Sequence, residues 1–246
     1  MIDTHAHIET TFCDDTEIAD LEAVILSGAN LNTSKNNLLL AEKYPRLKAA
    51  VGIHPQEIDD DINLLEELVK NDYTIAIGEC GLEFVDEIRE ADNFEELAAK
   101  QKDYFRKQIE LAQKYKKPLI VHARKAMDET IQILSEYEGI KGVIHCYSGG
   151  KKRVKKVLDL PGEWMFGFDG NLTYEPGLEE VLKEIPGDRI LAETDSPLLT
   201  PEPYRGKRNK PAYVKYVYKK IADVWGESLE KTEKILDDNA KRLFGI

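Results

Sequence analysis

The segment Ile-Asp-Thr-His-Ala-His-Ile at residues 2–8 opens the chain with the composition of a short β-strand. Side chains alternate faces along a strand, so Asp3, His5 and His7 are expected to point the same way. Two imidazoles on one face at the end of a first strand supply half of a metal site. A single histidine is more often a surface or core residue, so the remaining sequence has to decide between these roles.

Short apolar runs alternate with segments of helical periodicity along the whole chain. The eight predicted strands are residues 2–7, 23–27, 47–53, 74–78, 118–122, 142–145, 164–168 and 189–193. Apolar spacings of three and four predict helices at 61–70, 93–115, 127–137, 177–185, 210–225 and 228–243. Alternating units imply parallel strands, and eight units in 246 residues favour a (β/α)8 TIM barrel with an extra C-terminal helix over a doubly wound sheet. No linker or composition break appears, so one domain is predicted over residues 1–246.

All five histidines fall at the carboxyl ends of predicted strands, and two carboxylates take equivalent places after the fourth and eighth strands. These residues are His5, His7, His54, Glu79, His122, His145 and Asp195. In a parallel barrel all of these ends open on one face, where barrel enzymes have their active sites. The positions therefore predict a single site, without reference to any known protein.

Four of the imidazoles and both carboxylates are too many ligands for one tetrahedral ion. They suit two divalent ions about 3.5–4 Å apart that share a bridging carboxylate. Glu79 lies on a middle strand and is the expected bridge between His5 and His7 on one side and His122 and His145 on the other. Mixed nitrogen and oxygen ligands fit Zn²⁺, Mn²⁺, Fe²⁺ or Ni²⁺ better than Mg²⁺, although Mg²⁺ could support activity in an assay.

The expected chemistry is metal-assisted hydrolysis. A pair of divalent ions lowers the pKa of a bound water, and Asp195 is predicted to accept the proton of that water. The sequence contains no Gly-x-Ser-x-Gly nucleophile elbow and no Walker or Rossmann glycine pattern.

Composition limits the classes of function. The net charge of −12 opposes general coating of nucleic acid, which depends on cations that meet phosphates, but leaves room for an enzyme whose metal ions supply positive charge locally. Three cysteines without paired spacing argue against a disulfide framework, and Cys80 and Cys146 are expected to be small buried residues. No apolar run could cross a bilayer and no signal-peptide pattern is visible, so a cytoplasmic location is predicted.

Motifs spread over nearly the whole chain resemble those of the TatD family of metal-dependent deoxyribonucleases. They are Asp-Thr-His-Ala-His at 3–7, Gly-Ile-His-Pro at 52–55, Gly-Glu-Cys-Gly-Leu at 78–82, Phe-Arg-Lys-Gln-Ile-Glu-Leu-Ala at 105–112, Pro-Leu-Ile-Val-His-Ala-Arg at 118–124, His-Cys-Tyr-Ser-Gly at 145–149, Glu-Thr-Asp-Ser-Pro at 193–197, Arg-Gly-Lys-Arg-Asn-Lys-Pro at 205–211 and Asn-Ala-Lys-Arg-Leu-Phe at 239–244. The first motif alone is shared with the wider amidohydrolase superfamily.

The resemblance implies a TIM barrel that hydrolyses phosphodiester bonds in DNA, often as an exonuclease on single strands. It implies one metal ion on His5, His7, Glu79 and Asp195 and a second on Glu79, His122 and His145. His54 resembles a family histidine that lines the cleft, and we hypothesise that it contacts a substrate phosphate.

The sequence departs from the family pattern at three positions. Gln56 stands where the family often has His, and Cys80 and Glu83 stand where it usually has Ile and Asp. These departures concern substrate preference and rate more than the class of reaction.

Five residues are candidates for substrate binding. Arg124 could bind a phosphate bidentately or form an ion pair with a nearby acid. The loop after the last predicted strand carries Arg205, Lys207 and Arg208, which could line the path of the substrate strand together with the neighbouring Lys210, and Tyr204 is available for base stacking. Glu193 could orient ligands or fill a polar layer of the barrel, and the basic run 151–156 is more typical of a solvated helix face.

Two alternatives to a deoxyribonuclease remain. A metal-dependent hydrolase of the amidohydrolase superfamily could act on a small lactone, amide or phosphoester, since barrels of this kind support many chemistries. Glu79 disfavours it, because many such enzymes carry a carbamylated lysine on the fourth strand. A catalytically silent binding protein is the other. The predicted partner is single-stranded DNA, with no membrane contact and no obligate protein partner, for a chain that acts as a monomer.

Overall fold

A computed structural model describes residues 1–8 and 18–246 of the chain. Its parallel sheet has eight strands in sequential order, each paired with the next. They are β1 (Ile2–Ala6), β2 (Ala23–Leu26), β3 (Leu47–Val51), β4 (Thr74–Glu83), β5 (Leu119–Arg124), β6 (Lys141–Ile144), β7 (Glu163–Phe168) and β8 (Ile190–Ala192).

The segment that follows β8 returns to β1 and nearly closes the sheet. The Asp195 N–H donates to the His5 carbonyl oxygen at 2.9 Å, and the His7 N–H donates to the Ser196 carbonyl oxygen at 2.7 Å. These two bonds bring the ends of the first and last strands together. The predicted TIM barrel is therefore confirmed, and the ends of all strands share one face.

Helices lie between the strands, as the alternating pattern predicts. They are α1 (Leu31–Lys43), α2 (Leu65–Val69), α3 (Asp86–Arg89), α4 (Phe94–Tyr115), α5 (Met127–Leu134), α6 (Lys151–Leu158), α7 (Leu178–Leu182), α8 (Val214–Trp225) and the extra C-terminal helix α9 (Leu229–Phe244). The helix predicted at 61–70 is split, because residues Ile62–Leu64 form a separate 3-10 turn. A second 3-10 turn, Pro211–Tyr213, likewise precedes α8.

Helix α1 has no counterpart in the sequence-based prediction. Its first half is rich in Asn, Ser and Thr, which have weak helix propensity, so the periodicity is faint. The helix begins with a capping box, in which the Asn30 side chain accepts from the Thr33 N–H and the Thr33 hydroxyl accepts from the Asn30 N–H. The capping residues, rather than the apolar pattern, therefore indicate in the sequence that a helix begins here.

Strand β4 continues five residues beyond its predicted end and carries two acidic residues, Glu79 and Glu83. Gly81 lies between them with φ of +141°, and a Cβ at this position would sit 2.0 Å from the His122 carbonyl oxygen. A glycine is thus required for β4 to approach β5 here. The close approach places Glu79 and Glu83 beside the side chains of β5.

The barrel interior is filled with apolar side chains from every strand, among them Ile2, Ile25, Ile120, Met165 and Leu191. Helix α9 adds Leu243 and Phe244 to the same cluster. The polar site is consequently confined to the carboxyl ends of the strands.

Cys80 is a buried free thiol and Cys146 a partly exposed one, contrary to the prediction that both are buried. Cys13 lies outside the described residues. In the described part of the chain, no helix has the length and hydropathy that a membrane span needs.

Candidate metal centre

His5 and His7 converge at the carboxyl end of β1. Their Nε2 atoms are 3.1 Å apart, so the alternation predicted for this strand does bring both imidazoles to one point. The His7 Nδ1 lies 3.2 Å from the Ser27 carbonyl oxygen, which accepts only, so Nδ1 carries a proton and Nε2 is the nitrogen that faces the site. The His5 Nδ1 lies 3.2 Å from the Ser27 hydroxyl. Ser27 therefore orients both rings with their Nε2 atoms toward the site.

Glu79 lies between two sets of histidines, and each of its oxygens faces one set. Its Oε2 is 3.4 Å from the Nε2 atoms of both His5 and His7. Its Oε1 is 2.7 Å from the His122 Nδ1 and 2.8 Å from the His145 Nε2. A carboxylate in this position can bridge two cations, which is the role that the sequence predicts for it.

Asp195 completes the first set of donors. Its Oδ1 lies 3.6 Å from the His5 Nε2 and 3.4 Å from the His7 Nε2. The residue has φ of +54°, a left-handed backbone that non-glycine residues adopt rarely and that is frequent at functional sites. This backbone geometry aims the carboxylate from the end of β8 toward β1.

The donor atoms form several compact groups that could hold a cation. His5, His7 and Glu79 make one, Glu79, His122 and His145 a second, and His5, His145 and Asp195 a third. Burial raises the pKa of Glu79, but the charges of His145 and His5 oppose it and leave that pKa well below its usual range. Burial lowers the pKa of His7, but hydrogen bonds to Asp195 and Glu79 raise it to about 10. The buried carboxylates thus attract positive charge, and imidazole with carboxylate is a donor set that fits divalent transition metals.

Glu83 is the functional candidate that sequence reasoning missed, because the predicted strand ended at residue 78. It is buried, and its Oε2 lies 3.0 Å from the His122 Nε2. Its Oε1 accepts from Arg124 and from Gln56, both at 3.1 Å. Because the His122 Nε2–H can donate to Glu83, the ring is held with its Nδ1 toward Glu79, where that nitrogen could bind a metal ion in place of its proton. Two departures from the family pattern, Gln56 and Glu83, are in direct contact.

Replacement of Glu83 by glutamine is expected to weaken one ion site. The change keeps the side-chain size but removes the charge that fixes the His122 ring, and partners of this kind are worth about 10- to 100-fold in metal affinity. Titration of metal-free protein with Mn²⁺ or Zn²⁺ against a chromophoric chelator measures the effect directly. Glu87→Gln, an exposed acid on α3, is the matched control. Unchanged affinity for both ions in the folded Glu83→Gln variant would show that Glu83 does not position His122.

His54 lies beside the same carboxylates but farther from them. Its Nε2 is 3.7 Å from the Glu79 Oε1 and 4.0 Å from the Glu83 Oε2. Burial lowers the pKa of His54 to about 4, so the ring is neutral near pH 7. Its Nδ1 accepts from the Gln56 N–H at 3.1 Å, so the Nε2 carries the proton and can donate into the cleft. His54, Glu83 and His122 form one further group of potential metal ligands.

Three more buried acids surround the ligands. The Glu193 Oε1 accepts from the Cys146 N–H at 2.6 Å and lies 3.4 Å from the His145 Nδ1, a position from which it could orient that ring, one of the two roles considered for it. Asp3 accepts from the N–H and the hydroxyl of Thr194. Asp169, at the end of β7, was not predicted, although it directly follows a strand as the ligands do. Burial and the Glu193 charge raise its pKa to about 7.

The predicted substrate-binding residues lie at the rim rather than among the ligands. Arg124 forms the ion pair with Glu83 that sequence analysis gave as its alternative, while its side chain stays 65% exposed. Arg205 lies over the Tyr174 ring at 4.1 Å and Lys207 over the Tyr204 ring at 5.4 Å. Arg208 is exposed in the same loop. The run 151–156 forms α6, and four of its cations pair with surface acids.

The chain is similar to known proteins over nearly its whole length. The sequence profile of the TatD related DNase family matches residues 2–245. The uncharacterized metal-dependent hydrolase YabD of Bacillus subtilis (strain 168) is 34% identical over an alignment 263 positions long, which covers 100% of this chain and 99% of YabD. The 3'-5' ssDNA/RNA exonuclease TatD of Klebsiella pneumoniae (strain 342) is 32% identical over 241 aligned residues, which cover 93% of this chain and 88% of that protein.

The fold agrees with these relatives. The crystal structure of YJJV, a TatD homolog from Escherichia coli K12, matches with a TM-score of 0.87 at 24% identity and covers 100% of this chain and 98% of that one. The motif resemblance, the profile match and the whole-length relatives lead to the same assignment. The chain belongs to the TatD family of metal-dependent hydrolases.

Proposed function

We propose that this protein is an exonuclease that uses two divalent metal ions to hydrolyse phosphodiester bonds in single-stranded DNA. The position of Glu79 carries the proposal. One carboxylate oxygen faces His5 and His7 and the other faces His122 and His145, so two sets of candidate ligands share one carboxylate that could bridge two ions. Paired ions on a shared carboxylate are typical of enzymes that cleave phosphate esters.

Each ion has a proposed set of ligands. His5, His7, Glu79 and Asp195 would hold one ion, and Glu79, His122 and His145 the other. When bound, the two ions would lower the pKa of a water molecule and neutralise charge on the scissile phosphate. Zn²⁺, Mn²⁺, Fe²⁺ and Ni²⁺ fit the nitrogen-rich donor set, and Mg²⁺ is the less natural occupant.

The chain supplies the remaining catalytic groups. Asp195 would accept a proton from the attacking water, because it is the carboxylate that belongs to one ion only. His54, neutral and protonated on Nε2, would donate a hydrogen bond to a phosphate oxygen. Arg124 and the basic residues after β8, with Tyr204, would hold the strand that leads into the site.

The named relatives support the substrate and suggest a polarity. TatD of Klebsiella pneumoniae and TatD of Salmonella typhimurium are both named 3'-5' ssDNA/RNA exonucleases. We extend this to a 3'-to-5' direction here, with the protein acting as a monomer and a single domain over residues 1–246. The cytoplasmic location remains a prediction from the sequence.

Metal removal and resupply test the proposal. Protein stripped with a chelator should release no nucleotides from end-labelled single-stranded DNA, and Mg²⁺, Mn²⁺ or Zn²⁺ should restore release. A 5'-labelled strand that shortens stepwise indicates 3'-to-5' digestion, whereas immediate release of the label as a mononucleotide indicates the opposite polarity. Circular single-stranded DNA is the control, since an exonuclease leaves it intact.

No cleavage with any of these ions would contradict the nuclease assignment. The alternative is then a hydrolase of a small lactone, amide or phosphoester on the same metal centre. A panel of such compounds, assayed with the same ions, would identify it.

A further inference from the structure

One stretch of this acidic protein is exclusively basic. Residues 203–222 contain seven Lys and Arg and no Asp or Glu, in a chain whose net charge is −12. The basic residues are Arg205, Lys207, Arg208, Lys210, Lys215, Lys219 and Lys220. A local excess of positive charge can attract a polyanion although the whole chain is acidic.

Three tyrosines from the same stretch pack against one another. The Tyr204 and Tyr213 rings are stacked, with centroids 4.6 Å apart and planes inclined by 8°. Tyr216, on the first turn of α8, lies edge-on to both, at 5.4 Å from Tyr204 and 5.8 Å from Tyr213. All three rings are half-buried, so each keeps part of its surface open to solvent.

A lysine covers each of these rings. The ammonium groups of Lys207, Lys210 and Lys215 lie 5.4, 5.2 and 5.4 Å from the centroids of Tyr204, Tyr213 and Tyr216, respectively. The gap between the stacked rings cannot admit an ammonium group, so Lys207 and Lys210 lie on the outer faces. A cation on an exposed ring is held more weakly than a stacked nucleobase, so a base can displace it. The displaced lysine then lies within reach of the phosphate of that nucleotide.

This surface is connected to the metal centre. The Asn209 side chain donates to the carbonyl oxygens of Thr194 and Leu198 at 2.9 and 2.6 Å, which fixes the basic loop to the end of β8. Asp195 lies between these two acceptors, and the Leu198 N–H donates to its carbonyl oxygen at 2.9 Å. The Leu198 side chain is 61% exposed beside the site. Asn209 directly precedes Lys210 in the chain, so the basic loop is bonded at this point to the backbone on both sides of Asp195.

We propose that Tyr204, Tyr213 and Tyr216, with Lys207, Lys210 and Lys215, form a binding surface for the nucleotides of a single strand that follow the one being cleaved. The rings stack on the bases, and the ammonium groups bind the phosphates. This inference rests on the proposed nuclease function and extends it to helix α8. We refer to the six residues as the tyrosine–lysine surface.

Binding without catalysis tests the surface. In EDTA, which prevents cleavage, fluorescence anisotropy measures the affinity of labelled single-stranded 12-mer DNA and of the same 12-mer with every base replaced by an abasic spacer. The wild-type protein should bind the normal strand about five- to a hundredfold more tightly, because stacking is lost with the bases. The comparison uses one folded protein, so stability changes cannot affect it.

Two sets of variants locate the binding. The combined change Lys207→Gln, Lys210→Gln and Lys215→Gln should weaken 12-mer binding at least about tenfold at low salt. It should also reduce the slope of log K against log salt concentration by about 2 in magnitude. The control triple, Lys155→Gln, Lys231→Gln and Lys234→Gln, has the same charge change at lysines that each pair with an acid four residues away in the chain. It should leave the slope unchanged. Tyr216→Ala should remove most of the difference in affinity between the normal and abasic 12-mers, and Tyr216→Trp should restore that difference.

Several results would overturn the proposal. Equal binding of the normal and abasic strands, or equal effects of the two lysine triples, would show that this surface does not bind bases or phosphates. Equally tight binding of poly-glutamate would assign it to an acidic polypeptide instead.

Cleavage of bis(p-nitrophenyl) phosphate separates the two proposals, because this substrate is too short to reach the surface. Its metal-dependent hydrolysis by the wild-type protein therefore reports on the metal centre alone. If the protein hydrolyses this substrate but binds the normal and abasic strands equally, the proposed tyrosine–lysine surface is refuted and the nuclease function is not. Base-dependent strand binding without hydrolysis of any phosphodiester would refute the nuclease function alone.

Discussion

Glu79→Gln is expected to lower metal-dependent hydrolysis by at least about a thousandfold. Glu79 places one oxygen against each set of histidines, so the amide, which has a single acceptor oxygen and no charge, cannot serve both ions. Loss of one ion removes charge stabilisation of several kcal/mol from the transition state, and each 1.4 kcal/mol corresponds to about a factor of ten in rate.

Two measurements together check this expectation. Elemental analysis after saturation and gel filtration should give two ions per wild-type chain and one or fewer per variant, and single-strand cleavage should fall in parallel. Cys80→Ala is the control, because the neighbouring thiol is buried, approaches the Ile120 carbonyl oxygen at 3.6 Å and belongs to none of the donor groups among the described residues. A Glu79→Gln variant that retains two ions and a tenth of the wild-type rate would disprove the bridging role.

The substitution Asp195→Asn is expected to lower kcat by about 10²- to 10⁴-fold, which is the range for removal of a general base. Burial raises the pKa of Asp195, but the hydrogen bond with His7 and the nearby imidazole charges hold it below its usual range. The carboxylate is therefore ionised near pH 7 and able to accept a proton. Wild-type activity should rise with pH as this group loses its proton and then become independent of it.

The pH profile separates proton transfer from loss of a ligand. At saturating Mn²⁺, with the ion content confirmed, the Asn variant should keep a low kcat at every pH and lack the acidic limb of the wild-type profile. Asp188→Asn, at a surface turn, is the control and should retain both rate and profile. A kcat within tenfold of wild type would show that another group accepts the proton.

The architecture and most of the proposed ligands could be predicted from the sequence. Alternating strand and helix patterns are local, and in a parallel barrel every strand ends on one face, so His5, His122 and Asp195 could be assigned to one site although they are far apart in the chain. The periodicity of apolar residues did not predict one helix and the end of one strand, because the apolar pattern is weak at both places. Helix α1 begins with polar residues and a capping box, and β4 continues through a glycine to Glu83.

What only the tertiary structure decided depends on side-chain rotamers and loop paths. The division of the Glu79 oxygens between two sets of histidines, and the contacts of Glu83 with His122, Gln56 and Arg124, join residues from several strands and loops in one arrangement. The stacking of Tyr204 on Tyr213 likewise requires a loop anchored by Asn209. The sequence by itself determined which residues meet on the active face, because strand order sets that. The structure decided which atoms face each other, because packing across non-adjacent segments sets that.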